Sequence, residues 1–140
     1  MTSEEKELII KDLCTRLPYG IMVHWAGEHK LVRLYEIKLY GHDPDNYIIN
    51  GLGQPEPGYE FDMRIKDIKP YLRPMSSMTA KEYVEYEKRV KCILDIERTL
   101  HWCDTVESID YLVSHHLDYK GFIKKGWALP APESMYSIDT

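Results

Sequence analysis

His115-His116-Leu117-Asp118 is the string in this chain best equipped for chemistry. On a helix, His115 and Asp118 fall at i, i+3, where they can share a proton or a metal ion. A small metal- or His-dependent hydrolase or nuclease built on His115, His116 and Asp118 is one reading. The plainer one is structural. His116 shares a stripe with Ile109 and Val113, as a core histidine with a hydrogen-bond partner does, and Asp118 stands where that helix should end.

The second candidate is a site for an anion. The chain carries 18 Lys and Arg against 23 Asp and Glu, net −5, which argues against bulk nucleic-acid binding because that needs a basic face. The charge is uneven, however: residues 1–63 carry −5, residues 64–91 carry +4 and residues 92–140 carry −4. The positive stretch contains Arg64, Lys66, Lys69 and Arg73 and runs into Ser76-Ser77-Met78-Thr79 at a predicted helix start. Arginine offers a bidentate fork to carboxylate or phosphate. Lys69, Tyr71, Arg73, Ser76 and Ser77, with His115 and Tyr119, are therefore the candidate ligand-binding residues. The alternative is that Arg73 and Lys69 pair with acidic neighbours and Thr79 is only a cap.

Other strings lead less far. His42-Asp43-Pro44-Asp45 reads as a hydrated turn, and Gly51-Leu52-Gly53-Gln54-Pro55 is followed by no helix, so it is not a dinucleotide fingerprint. No nucleophile elbow, Walker loop or paired-His protease motif occurs, and the pattern calls for no cofactor, no metal and no catalytic residue. Cys14, Cys92 and Cys103 are three, with no close pair and no signal-peptide pattern ahead of them, which predicts a reducing cytoplasm and buried, unpaired thiols. His101-Trp102-Cys103 supplies two zinc-type ligands where a structural site uses four. No apolar run reaches the ~20 residues of a membrane helix. The chain holds 11 Tyr against 2 Phe, a bias toward half-buried contact surfaces.

These residues need elements to position them. Thr2 and Glu5 form a capping box for a helix over 2–17, with Ile9, Leu13 and Leu17 on one stripe beside Ile10 and Cys14. Alternating patterns then predict strands at 21–26, 31–40, 47–50 and 59–65, separated by turns. Residues 66–78, with Pro70 and Pro74, read as an irregular connector. Thr79 and Glu82 form a second capping box for a helix carrying Tyr83, Tyr86, Val90, Ile93, Leu94 and Leu100, and Asp104 and Glu107 cap the next one. Trp25, Trp102 and Trp127 are core or groove aromatics. Residues 129–140 read as a tail, loosely held from Glu133 to Thr140. The expectation is one α+β domain over 1–140: an N-terminal helix, a small antiparallel sheet or partial Sm- or Tudor-like barrel over 21–65, and a helical part over 79–128 with two to three helices.

Three stretches carry a resemblance: Lys11 to Gly20 (KDLCTRLPYG), Ile68 to Thr79 (IKPYLRPMSSMT), and Ser114 to Ile123 (SHHLDYKGFI) followed by Gly126-Trp127-Ala128-Leu129. Together they resemble a group of small proteins of Bacteroidetes phages, prophages and their gut hosts. No activity is attached to that group, so no catalytic residue carries over. The resemblance implies a phage-encoded protein in the host cytoplasm that acts by binding. The leading expectation is a non-enzymatic accessory protein that binds a host protein or an anionic small molecule. Its sharper form is a counter-defence protein sequestering a nucleotide signal, with the ligand captured at a homo-oligomer interface. A phage structural or assembly protein is the further alternative.

Overall fold

A computed structural model of the chain describes residues 1–26, 30–53, 60–94, 100–103 and 106–136. The fold is α+β, with an N-terminal helix, a six-stranded mixed sheet, and helices toward the C-terminus. Helix α1 spans Ser3–Arg16, and the Thr2–Glu5 capping box forms as the sequence predicts. The sheet strands are β1 (Met22–Trp25), β2 (Lys30–Lys38), β3 (Ile48–Gly53), β4 (Glu60–Met63), β5 (Ile68–Leu72) and, late in the chain, β8 (Leu129–Pro130). Helix α2 (Ala80–Glu87) follows β5, then a hairpin of β6 (Lys91–Leu94) and β7 (Leu100–Cys103), then α3 (Val106–Ser114). Among the described residues, no helix is long and apolar enough to cross a membrane.

The sheet order is β4-β3-β2-β1-β5-β8, antiparallel except for the parallel β5–β8 pair. The two ends of that order do not pair among the described residues, so the sheet is open rather than a barrel. One face is packed by Ile9, Ile10 and Leu13 of α1 against Val23, Val32, Leu34, Ile49 and Met63, with Phe122 and Ala128 from the C-terminal region. Alternation on β2 starts at Val32 and Leu34. A register shift between Leu34 and Glu36 then returns Ile37 to the same core, a bulge that resets the pleat by one residue.

Several expectations need correction. The helix expected through Leu100 stops at Glu87, and its last apolar residues form β6 and β7. Val90, Ile93 and Leu94 fit a helical stripe and a short strand equally well, because periodicity does not separate the two over so few residues. Tyr83, on the stripe expected to face the core, is exposed. The connector contains a strand, since Pro70 sits inside β5 opposite Val23 and its missing N–H does not stop the pairing. Cys14 is exposed. The Asp104 cap, and the side chains behind the zinc reading of His101 and Cys103, lie outside the described residues. The tail is anchored as far as Tyr136: β8 pairs with β5, the Ala131 N–H donates to the Leu72 carbonyl at 2.8 Å, and the Tyr136 hydroxyl bonds the Met22 and Tyr71 backbone, while residues 137–140 lie outside the described residues.

Two buried ion pairs tie the helices to the end of the sheet. Arg16 donates through Nε to Asp12 at 2.9 Å and through Nη2 to the Leu117 carbonyl at 2.8 Å, joining α1 to the chain after α3. Arg73, just beyond β5, forks onto Glu82 of α2 at 2.8 and 2.7 Å. Glu82 also receives the Thr79 N–H at 2.9 Å, so one carboxylate completes the α2 capping box and neutralises Arg73.

Candidate functional site

The end of α3 shows why His116 is where it is. The Leu117 N–H returns to the Leu112 carbonyl at 2.9 Å and the His116 N–H to the Val113 carbonyl at 3.0 Å, the bond pair of a Schellman stop. That stop puts the residue after the C-cap in the left-handed region. His116 occupies it at φ 57°, the only non-glycine with positive φ among the described residues. A side chain there costs about 1 kcal/mol over glycine, so the imidazole must return something. It does so by donating from Nε2 to the Tyr19 carbonyl at 2.8 Å and stacking on Tyr136 with ring centroids 4.0 Å apart. Burial pushes the His116 pKa down to about 4, against the opposing pull of the Tyr19 carbonyl. The ring is neutral near pH 7, with its proton on Nε2.

Tyr136 is the second organiser. Its hydroxyl accepts from the Met22 N–H at 2.9 Å and donates to the Tyr71 carbonyl at 2.8 Å. The β1–β5 register ends at Val23 opposite Pro70, so Met22 and Tyr71 are the next pair along. The tyrosine hydroxyl thus bridges the two strands one step beyond their last paired residues. Burial raises the Tyr136 pKa well above the ordinary phenol value.

Around these two residues lies a cleft of about 560 Å³. The turn after α1 contributes Tyr19 and Gly20, the sheet contributes Met22 and Arg33, α2 contributes Lys81, Glu82 and Glu85, and the end of α3 contributes Tyr111 and His115. A second cavity of about 380 Å³ contains Ser77, Thr79 and Glu133. Arg73 and Tyr136 line both cavities and so form the partition between them.

The cleft's charges sort into matched and unmatched. Arg73 is matched by Glu82, whose pKa is held down to about 2, chiefly by the Arg73 hydrogen bonds. Glu85 is matched by Lys88 and Arg89, each at 3.3 Å. Arg33 and Lys81 remain, and neither side chain makes a hydrogen bond or ion pair among the described residues. In a chain of net −5, that is a local excess of positive charge in a concave site with several aromatic rings.

Of the sequence-predicted residues, Arg73 and His115 share the cleft and Ser77 lines the second cavity. Arg73 is corrected in role. It is 6% exposed, its fork is taken by Glu82, and it gives a further bond to the Ser77 carbonyl at 3.1 Å, so its charge is spent inside the fold. His115 contacts the Tyr111 carbonyl through Nδ1 at 2.9 Å and stacks on the Tyr111 ring. Tyr71 contributes its carbonyl to Tyr136, while Lys69 and Ser76 are exposed outside both cavities. Tyr119 lies under the Lys120 ammonium at 5.5 Å, outside both. Asp118 is not a partner for His115. Its two oxygens accept the Phe122 and Ile123 N–H groups at 2.8 and 2.9 Å and fold the turn beyond α3.

Sequence reading missed Arg33, Lys81, Gly20 and Tyr136. Lys81 had a usable signal, since it lies in the basic segment two residues after the Thr79 cap. Arg33 and Tyr136 had none, because they reach the cleft through strand pairing and tail docking. No family model, curated protein or solved structure matches this chain.

Proposed function

We propose that this chain is a non-enzymatic binding protein whose cleft holds an anionic small molecule. The observation that carries the reading is that Arg33 and Lys81 line the cleft with no acidic partner among the described residues, while the groups best suited to catalysis are engaged in holding the fold. His116 is neutral and bonded, Asp118 caps a turn, and Arg73 and Glu82 satisfy each other. The tyrosine and histidine rings of the cleft suit a flat ligand, so a nucleotide-type anion is the sharper form of the proposal. In the setting the resemblance implies, such a protein would sequester a nucleotide signal of the host and blunt a defence response.

The test is thermal denaturation of the full chain against mononucleotides, dinucleotides, sugar phosphates and dicarboxylates. A ligand at one hundred times its dissociation constant stabilises by about 2.7 kcal/mol, a shift easily read for a chain of this size. Stabilisation by one class that disappears in Arg33→Ala/Lys81→Ala supports the reading. No stabilisation by any of them overturns it.

A further inference from the structure

Arg33 differs from the other arginines of the cleft region in how its head group is held. Gly20 stands opposite it with φ +74°, a conformation reached where the short turn at Leu17–Tyr19 ends. A Cβ on Gly20 would lie 2.9 Å from Arg33 Nε, 2.9 Å from Nη2 and 3.1 Å from Cζ. The guanidinium therefore rests in the space that any other residue at position 20 would fill. Arg16 and Arg73 are also seated, but by carboxylates and carbonyls. Arg33 is seated by contact with a bare backbone, and its N–H donors make no hydrogen bond among the described residues.

We infer that Arg33 is the anchor for the anionic group of the cleft's ligand, that Gly20 is the residue positioning it, and that the group it takes is an oxyanion, carboxylate or phosphate. This rests on the binding reading above and adds which side chain leads. A planar fork that is already placed loses little freedom when it closes on two oxygens, which is the advantage of arginine over lysine at such a site. Lys81, on α2, supplies a second, undirected positive charge. Phosphate and carboxylate share the chemistry, and the probes below separate them.

The experiment uses the full chain with labelled arginine, following the Arg33 Nε–H resonance during titration with inorganic phosphate, and separately with acetate, at constant ionic strength. Arg33→Lys, Gly20→Ala and Lys81→Met are compared by the shifts of cleft backbone amides. The Arg33 resonance is expected to move saturably, and the anion that saturates it at lower concentration names the source. Arg33→Lys and Gly20→Ala are expected to weaken binding about tenfold or more, the loss of one charge-assisted hydrogen bond, with Lys81→Met weakening it less. The atoms a Gly20→Ala methyl would meet are the far end of an exposed side chain, so the methyl moves the guanidinium; the left-handed backbone at position 20 also strains this variant, and a melting curve checks that its fold is kept. Arg33→Lys is the independent check, being a surface change with the charge retained. If wild type and Arg33→Lys bind the same anion equally, the anchor assignment is overturned and the binding reading stands. If Gly20→Ala alone binds like wild type, the positioning role is overturned. If neither anion moves any cleft resonance, the anchor and the binding reading fall together.

Discussion

Replacing Glu82 by Gln keeps the shape of the side chain and removes its charge, which isolates what the Arg73–Glu82 pair contributes. Both side chains are nearly closed to solvent, at 7% and 6% exposure, so screening is weak. Folding lowers the Glu82 pKa from 4.5 to about 2, first through the Arg73 hydrogen bonds. At ~1.4 kcal/mol per unit, the folded state favours the charged form by on the order of 3 kcal/mol. The low end of the 3–5 kcal/mol cost of breaking a buried pair agrees. Because the folded pKa is depressed, the unfolded chain binds more protons in acid. The contribution is full above pH 4.5 and is lost as pH falls toward about 2. Glu82→Gln does not titrate there. Wild type should therefore exceed the variant by about 3 kcal/mol at pH 7, some 10 °C in melting temperature, and the gap should close between pH 4.5 and 2. Urea denaturation read by tryptophan fluorescence at pH 7, 5, 4 and 3 measures it. A gap under about 1 kcal/mol at pH 7 would refute the reasoning, as would a gap that persists unchanged into acid. The double variant Arg73→Met/Glu82→Leu should recover most of the loss, since an apolar pair of similar volume leaves no buried charge.

Three further outcomes follow from the same geometry. His116 titrates at about 4 in the fold against 6.5 ordinarily, so wild type should lose stability as pH falls from 6.5 to about 4, and His116→Gln should lose less over that window in denaturant titrations. Tyr136→Phe leaves the Met22 N–H and Tyr71 carbonyl without their bridge and should cost about 1–2 kcal/mol, with faster hydrogen exchange at the Met22 amide as its signature. Gly51→Ala places a Cβ against Val32 Cγ1 and 2.9 Å from the Arg33 carbonyl, so it should destabilise by about 2–3 kcal/mol in urea titrations.

The candidate site was half legible. Arg73 and His115 do meet in one cleft, as far apart in sequence as they are, but the charge on Arg73 that marked it as a ligand is cancelled by Glu82, nine residues on. The string His115-His116-Leu117-Asp118 looked catalytic because composition shows which groups are present and not what they touch. Here one histidine bonds the Tyr19 carbonyl and the aspartate holds two backbone N–H groups. Of the cations left over, Lys81 lies in the basic segment and Arg33 is an ordinary surface residue in sequence. Their being unmatched is a fact about neighbours.

What the sequence determined by itself is whatever depends on residues a few positions apart. Both capping boxes, at Thr2–Glu5 and Thr79–Glu82, formed as read, because N-cap and N3 are three residues apart and see each other in any helix that starts there. The β4 alternation of Phe61 and Met63 against Glu60 and Asp62 held for a similar reason, the pleat having a period of two. Tertiary structure decided the rest. It made a strand of Ile68–Leu72 despite Pro70, turned the end of a helical stripe into a hairpin, and docked a tail through Tyr136 114 residues away from Met22. Each of those outcomes is set by a partner distant in the chain, and pairing energy between distant segments overrides local preference whenever the two compete.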